Sequence, residues 1–86
     1  MAELSRFYGI VIRMYGNDHA PPHFHAVYAD RSALVEIATL RLIRGNLPRR
    51  ARGLVAEWAK THQTELVESW QRLNRGETPA KIDPLD

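Results

Sequence analysis

Residues 7–37 read FYGIVIRMYGNDHAPPHFHAVYADRSALVEI, and this stretch decides the fold. Its first part, Phe7–Tyr15, is rich in β-branched and aromatic residues. Every second position there carries a large apolar or aromatic side chain: Tyr8, Ile10, Ile12 and Met14. Alternation at a period of two is typical of a strand with one buried face. The pattern therefore predicts a first strand over Phe7–Tyr15.

Three further strands are predicted after a loop that contains Pro21 and Pro22, because proline and the residue before it favour extended backbone. Two of these strands are predicted over His23–Tyr28 and Ser32–Ile37, and a short one over Arg41–Arg44. The connections are too short for parallel neighbours, which need crossovers of a dozen or more residues. The sheet is therefore expected to be antiparallel.

The period changes after Gly45, where larger side chains recur at intervals of three and four. The positions are Ala51, Leu54, Val55, Trp58, His62, Leu66, Trp70 and Leu73. This spacing predicts one long helix, or two if Thr61–Thr64 breaks it. We expect an α+β fold in a single domain of residues 1–86. An antiparallel sheet of three to four strands (about 6–44) is followed by a long covering helix (about 48–75) and an extended tail (76–86).

Length and composition exclude several classes of protein. A chain of 86 residues and 9.9 kDa has room for one core. The absence of cysteine excludes disulfides, zinc thiolates and thiol nucleophiles. No apolar run approaches the ~20 residues of a membrane span, and the N-terminus has no secretory signal pattern. The sequence therefore predicts a cytoplasmic protein that does not bind membranes.

Histidines are concentrated in residues 18–25, DHAPPHFH. If His23 and His25 lie on a strand, their imidazoles leave the same face and Phe24 points into the core. Histidine nitrogens and carboxylate oxygens bind divalent transition metals. The motif therefore predicts a mononuclear site for zinc or nickel, with candidate ligands at His23, His25, His19 and Asp18.

The same residues allow two other interpretations. His19, His23 and His25 would serve as general acid and base near neutral pH in a small metal-independent ribonuclease. Arginines on neighbouring strands would then hold the phosphate: Arg13, Arg41 and Arg44. In the third interpretation the histidines only form hydrogen bonds and pack within the fold. The sequence leaves these three alternatives open.

A basic segment spans the last predicted strand and the start of the predicted helix. It holds five arginines and no acid: Arg41, Arg44, Arg49, Arg50 and Arg52. Such a cluster suits an anionic partner, although a solvated face is the simpler explanation. Together with Arg13, these are the candidate residues for binding RNA or the acidic surface of a protein.

The predicted tail carries two apolar residues, Ile82 and Leu85. The pattern alone does not decide whether they pack on the body of the protein or on another chain. Because a chain this small exposes much of its surface, we expect association through this tail, either with a second copy or with a small acidic protein.

Three strings carry a family resemblance: SRFYGIVIRMY (5–15), DHAPPHFHA (18–26) and LPRRARGLVAEWAKTHQTELVESW (47–70). They resemble the small bacterial and archaeal proteins of domain-of-unknown-function family 4160, from about Ser5 to Leu85. The positions that carry the resemblance are Tyr8, Asp18, His19, Pro21, Pro22, His23, His25, Arg49, Arg50, Glu57, Trp58 and Trp70.

This resemblance implies a stand-alone domain, often encoded beside a second short gene in the manner of toxin-antitoxin pairs. The first functional hypothesis is therefore a component of such a module that binds RNA or a small protein encoded nearby, with a histidine-dependent ribonuclease as one form of it. A histidine-based metal-binding protein or metalloenzyme is the alternative. A non-catalytic adaptor is the second alternative.

Overall fold

The computed structural model describes residues 1–86 and contains five strands followed by two helices. Their bounds are β1 (Ala2–Phe7), β2 (Ile10–Met14), β3 (His23–Tyr28), β4 (Arg31–Glu36), β5 (Leu42–Gly45), α1 (Arg49–Thr61) and α2 (Gln63–Asn74). The strands form one sheet in chain order, and every neighbouring pair is antiparallel. The α+β class is confirmed, but the sheet has five strands rather than three to four. Neither helix has the length and apolar character that crossing a bilayer requires.

The predicted first strand over Phe7–Tyr15 is wrong, because a hairpin turn lies inside it. Tyr8 and Gly9 both have positive φ angles, of 50° and 79°, and Phe7 pairs with Ile10. Two central residues with positive φ give the tight turn whose twist matches that of the flanking strands. The chain reverses there, and Tyr8 is exposed instead of facing the core.

The sequence pattern did not predict strand β1, because this strand contains a β-bulge. The register shifts between Glu3 and Ser5, so that Leu4 and Ser5 are both buried although they are adjacent in the chain. A bulge of this kind breaks the alternation of faces on which strand prediction depends. The strand region consequently begins at residue 2 and not near residue 6.

The later strands lie within one residue of their predicted bounds. Strand β3 matches the prediction, and Ala33, Val35 and Ile37 are buried on one side, as expected. Strand β5 extends to Gly45, whose φ is 77°. A Cβ at this position would lie 2.2 Å from the carbonyl oxygen of Ser32, so the end of β5 requires glycine.

The single long helix is also wrong, and the alternative of two helices is correct. The backbone leaves helical geometry at His62, which has a φ of −115°. The Nε2 amide of Gln63 donates a hydrogen bond to the carbonyl oxygen of Ile37 across 2.8 Å. The start of α2 is therefore bonded to the chain just after β4. The spacing of apolar residues along the helices does not predict this contact.

Both helices contribute to one hydrophobic core on a single face of the sheet. Trp58 of α1 is fully buried, and its ring centroid lies 5.4 Å from that of Phe7 and 6.0 Å from that of Phe24. The buried residues form one cluster that extends along the chain from Leu4 to Ile82. The opposite face of the sheet carries the half-buried residues Arg13, His25 and Leu34.

The C-terminal tail is part of this core. Ile82 is 4% exposed, and its backbone N–H donates to the carbonyl oxygen of Leu4 on the edge strand β1 across 2.8 Å. The indole Nε1 of Trp58 donates to the Asp83 carbonyl across 2.7 Å. Leu85 packs against the same cluster. Of the two possibilities that the pattern left open for Ile82 and Leu85, the structure shows packing on the body of the protein.

Candidate functional site

The histidine motif lies at the junction between a loop and a strand. His23 and His25 are the first and third residues of β3, so their side chains leave the same face of the sheet. Phe24 between them points to the other face and is fully buried. Asp18 lies in the loop that joins β2 to β3. The strand therefore fixes the two imidazoles, while the loop brings the carboxylate back to them.

The side chains of Asp18, His23 and His25 converge. The Oδ2 oxygen of Asp18 lies 3.0 Å from Nε2 of His23 and 3.5 Å from Nε2 of His25. Each residue offers one ligand atom, and these three atoms all lie within 4.8 Å of one another. Three of the four residues predicted as ligands thus come together.

The protonation pattern of His23 is set by its backbone neighbour. Its Nδ1 lies 2.8 Å from the carbonyl oxygen of Pro21, and a carbonyl only accepts, so Nδ1 carries the hydrogen. In the neutral ring, Nε2 then presents a lone pair to Asp18, whose carboxylate also only accepts. A cation between these two atoms, either a proton or a metal ion, satisfies both. The ring of Trp70 packs on His23 at 5.2 Å between centroids, and His23 is buried.

His25 carries an unsatisfied nitrogen. Its Nε2 is buried and accepts no hydrogen bond from the protein. The 3.5 Å separation from Asp18 is an electrostatic contact, too long for a good hydrogen bond. Tyr15 packs edge-on against the imidazole at 4.6 Å between ring centroids. An unpaired buried polar atom costs about 1–3 kcal/mol, and this nitrogen is available to accept a hydrogen bond or a cation.

Two residues of this cluster, Asp18 and His25, have shifted pKa values. Burial would raise the pKa of the Asp18 carboxyl, but the hydrogen bond from the His19 amide and the contacts with both imidazoles outweigh it, so the pKa is lowered. Burial lowers the pKa of His25, and the Asp18 carboxylate opposes this only in part. The cluster therefore favours an ionised carboxylate beside a neutral His25.

His19 lies outside the set of converging atoms. Its backbone N–H donates to Oδ1 of Asp18 across 2.9 Å, which orients the carboxylate. The residue itself is exposed and lines the pocket beside the cluster. The contact that His19 makes with this cluster is thus a main-chain hydrogen bond to Asp18.

The sequence around this site identifies a family. Over residues 9–71 the chain matches the family described as Domain of unknown function (DUF4160). The chain belongs to this family. The matched region includes the whole Asp18–His25 motif, both helical tryptophans and strands β3 to β5. No curated protein and no solved structure matches the chain.

The pocket of this DUF4160 domain has a volume of about 300 Å³ beside the histidines. Its apolar walls are Leu34 of β4 and Ile43 of β5, and Arg44 of β5 completes it. Sequence reasoning missed Leu34, Ile43 and the Pro21 carbonyl, because nothing in their local pattern differs from that of ordinary strand or loop residues. Only the pairing of β3 with β4 and of β4 with β5 brings these side chains to the motif.

The six candidate arginines of this DUF4160 domain do not form one patch. Arg13 and Arg44 lie on the sheet, Arg13 opposite His25 and Arg44 in the pocket. Arg41 is exposed just before β5. The remaining three lie in the first turn of α1: Arg49, Arg50 and Arg52. All six lack an ion-pair partner.

Proposed function

We propose that this DUF4160 domain binds a divalent transition metal through Nε2 of His23, Nε2 of His25 and Oδ2 of Asp18. The observation that carries the proposal is the contact between Nδ1 of His23 and the Pro21 carbonyl, which assigns the hydrogen of the neutral ring to Nδ1. With its Nδ1–H committed to the Pro21 carbonyl, the lone pair on Nε2 faces an acceptor oxygen 3.0 Å away. A metal ion between the two atoms satisfies both without a second proton on the ring.

The distances support this assignment. Zinc binds histidine nitrogen and carboxylate oxygen at 2.0–2.2 Å, so ligand atoms at angles of 90–110° lie about 2.9–3.5 Å apart. The two separations from Asp18, 3.0 and 3.5 Å, fall in this range. All three ligand atoms lie within 4.8 Å of one another, so the two imidazoles would have to move closer together where their separation exceeds this range. Zinc and nickel both accept two imidazoles and a carboxylate.

The surroundings of the three residues favour a catalytic or ligand-binding metal site over a structural one. Three protein ligands leave a position open, whereas structural zinc sites are closed by four. Ligating histidines commonly donate their second ring N–H to a backbone carbonyl, which is the bond His23 makes to Pro21. All three candidate ligands line a pocket of about 300 Å³, which would give a bound ion space for a further ligand. We therefore infer a metal that binds water or substrate.

The metal-independent ribonuclease gains less support from the same geometry. A general acid or base must reach the proton that it transfers. His23 is buried, with its two ring nitrogens facing Pro21 and Asp18. Its ring is therefore unsuited to meeting a substrate directly.

Calorimetric titration of zinc into the chelator-treated, tag-free chain tests the metal proposal. We expect one zinc ion per chain, with binding lost in the His23→Ala, His25→Ala double variant. His19→Ala is the matched control, because it removes an imidazole that lines the pocket without converging on the ligand atoms, and it should bind zinc as the wild type does. Equal heats of zinc binding for the wild type and the double variant would contradict the proposal.

RNA binding is a second candidate function, supported by a different surface. Tyr8, Tyr28 and Arg50 line a separate pocket of about 290 Å³. Arg49 and Arg52 lie beside Arg50 on α1 and are exposed without ion pairs. Aromatic rings that stack bases, beside arginines that contact phosphates, are the elements of single-strand binding.

The salt dependence of binding tests this second candidate. Affinity for a fluorescent single-stranded RNA should fall with salt, with a log-log slope of about −0.7 per phosphate contacted. The Arg49→Gln, Arg50→Gln double variant should weaken binding, whereas Arg72→Gln, which removes an ion-paired arginine on α2, should not. An absence of binding at low salt would remove RNA from consideration. The toxin-antitoxin context and its small protein partner stay predictions.

A further inference from the structure

A row of paired residues crosses the open face of the sheet through the histidine cluster. His25 pairs with Arg13 on one side and with Leu34 on the other, and Leu34 pairs with Arg44 on β5. Neighbouring strands are about 4.8 Å apart, so the Cα atoms of His25 and Arg44 are separated by roughly 10 Å. The long side chain of Arg44 lines the same pocket as Asp18 and both histidines.

The charges around this pocket favour an anion. Asp18 is the one acid among the lining residues, and Arg44 is the one arginine there. Glu36 pairs with His23 on the neighbouring strand, but its carboxylate accepts a hydrogen bond from the Thr39 hydroxyl, and Glu36 does not line the pocket. With a divalent ion on the cluster, the pocket would carry a net charge of +2. A dianion neutralises that charge.

The pocket also has room for an organic group. Leu34, which lies between His25 and Arg44 in the row, and Ile43 are apolar lining residues, and Ile43 is 45% exposed. The volume of about 300 Å³ lies at the low end for pockets that bind small molecules. A small anion with an apolar substituent fits this combination of a charged end and an apolar wall.

We propose that this pocket binds a phosphate monoester, an inference that rests on the proposed metal site. One phosphate oxygen binds the metal at its open position. Two others accept hydrogen bonds from the guanidinium N–H groups of Arg44, whose planar, two-pronged arrangement matches the spacing of phosphate oxygens. The ester substituent lies against Leu34 and Ile43. A phosphate dianion balances the net charge of the pocket, whereas a monocarboxylate leaves half of it uncompensated.

Calorimetry with phenyl phosphate on the zinc-loaded full chain tests this inference. We expect saturable binding that weakens about tenfold or more in Arg44→Gln, the effect of losing a charge-assisted hydrogen bond. Arg44→Gln should keep the zinc affinity of the wild type, because Arg44 does not ligate the metal. Arg41→Gln is the matched control, since Arg41 is exposed near β5 but does not line the pocket. Its affinity for phenyl phosphate should be unchanged.

The outcomes separate this inference from the proposal on which it rests. If the wild type binds zinc but Arg44→Gln binds phenyl phosphate as tightly as the wild type, the role of Arg44 is wrong and the metal site stands. If benzoate binds zinc-loaded protein as tightly as phenyl phosphate, the preference for phosphate is wrong. If the wild type binds no zinc, the metal proposal fails and the phosphate site fails with it.

Discussion

The Nδ1 nitrogen of His23 donates a hydrogen bond to the carbonyl oxygen of Pro21, two residues earlier, across 2.8 Å. This bond fixes which ring nitrogen is free, and the free nitrogen faces Asp18. The proline loop thus does more than connect two strands, because its main chain sets the tautomer of a buried histidine on β3.

Replacing His23 with asparagine should separate folding from metal binding. The asparagine amide retains a donor near the position of Nδ1 and can keep the bond to Pro21, but it has no atom at the position of Nε2. In the presence of chelator we expect the chain to fold with a free energy of unfolding lower by about 0.5–3 kcal/mol, because the smaller side chain loses packing against Trp70. Zinc affinity should fall by at least about 100-fold, since even residues that only support a ligand are worth 10- to 100-fold. Unchanged zinc affinity would contradict the role of Nε2.

Stability without metal should depend on pH through His25. Because burial lowers the pKa of His25 in the folded state, the unfolded chain binds more protons between that pKa and the ordinary histidine value of about 6.5. The free energy of unfolding should therefore decrease as the pH falls through this window. Urea denaturation in chelator at several pH values measures it. His25→Asn should flatten the dependence, and an equal slope in both proteins would exclude His25 as its origin.

Truncating Ile82 should destabilise the whole domain. Ile82 is buried in the core and its main chain is bonded to β1. Removal of a buried isoleucine side chain to alanine costs about 2–5 kcal/mol, a large part of the stability of a small domain. Urea denaturation of Ile82→Ala should show this loss, with the exposed neighbour Lys81→Ala within about 0.5 kcal/mol of the wild type. Equal stabilities would mean that the tail is not part of the core in solution.

The turn at Tyr8 should be improved by asparagine. Tyr8 has a φ of 50°, a conformation that bulky residues adopt at a cost and that asparagine tolerates. Tyr8 is exposed, so little packing is lost on substitution. We expect Tyr8→Asn to raise the midpoint of thermal unfolding by a few degrees, and Tyr8→Phe, with the same backbone preference as tyrosine, to leave it nearly unchanged. A lower midpoint for Tyr8→Asn would show that the tyrosine ring stabilises the fold.

Local periodicity was enough to predict much of this fold. The alternation in β3 and β4 correctly identified the buried faces, including Phe24 and Val35. The same period of two placed His23 and His25 on one face, because side chains in a strand alternate whatever the partner strands are. The change to intervals of three and four identified the helical region. These features depend on the chain's own backbone geometry, which the sequence by itself determined.

The tertiary structure decided the rest. The hairpin turn at Tyr8 lies within a stretch whose apolar pattern continues without a break. The hydrogen bond from Gln63 to Ile37 anchors α2 at the break between the two helices. Periodicity predicts neither feature. Arg44 reaches the histidine pocket only through the pairing of β3, β4 and β5. Periodicity specifies the face on which a side chain lies. Which side chains from distant segments meet on that face depends on strand register and loop geometry, and these are set when the whole core packs.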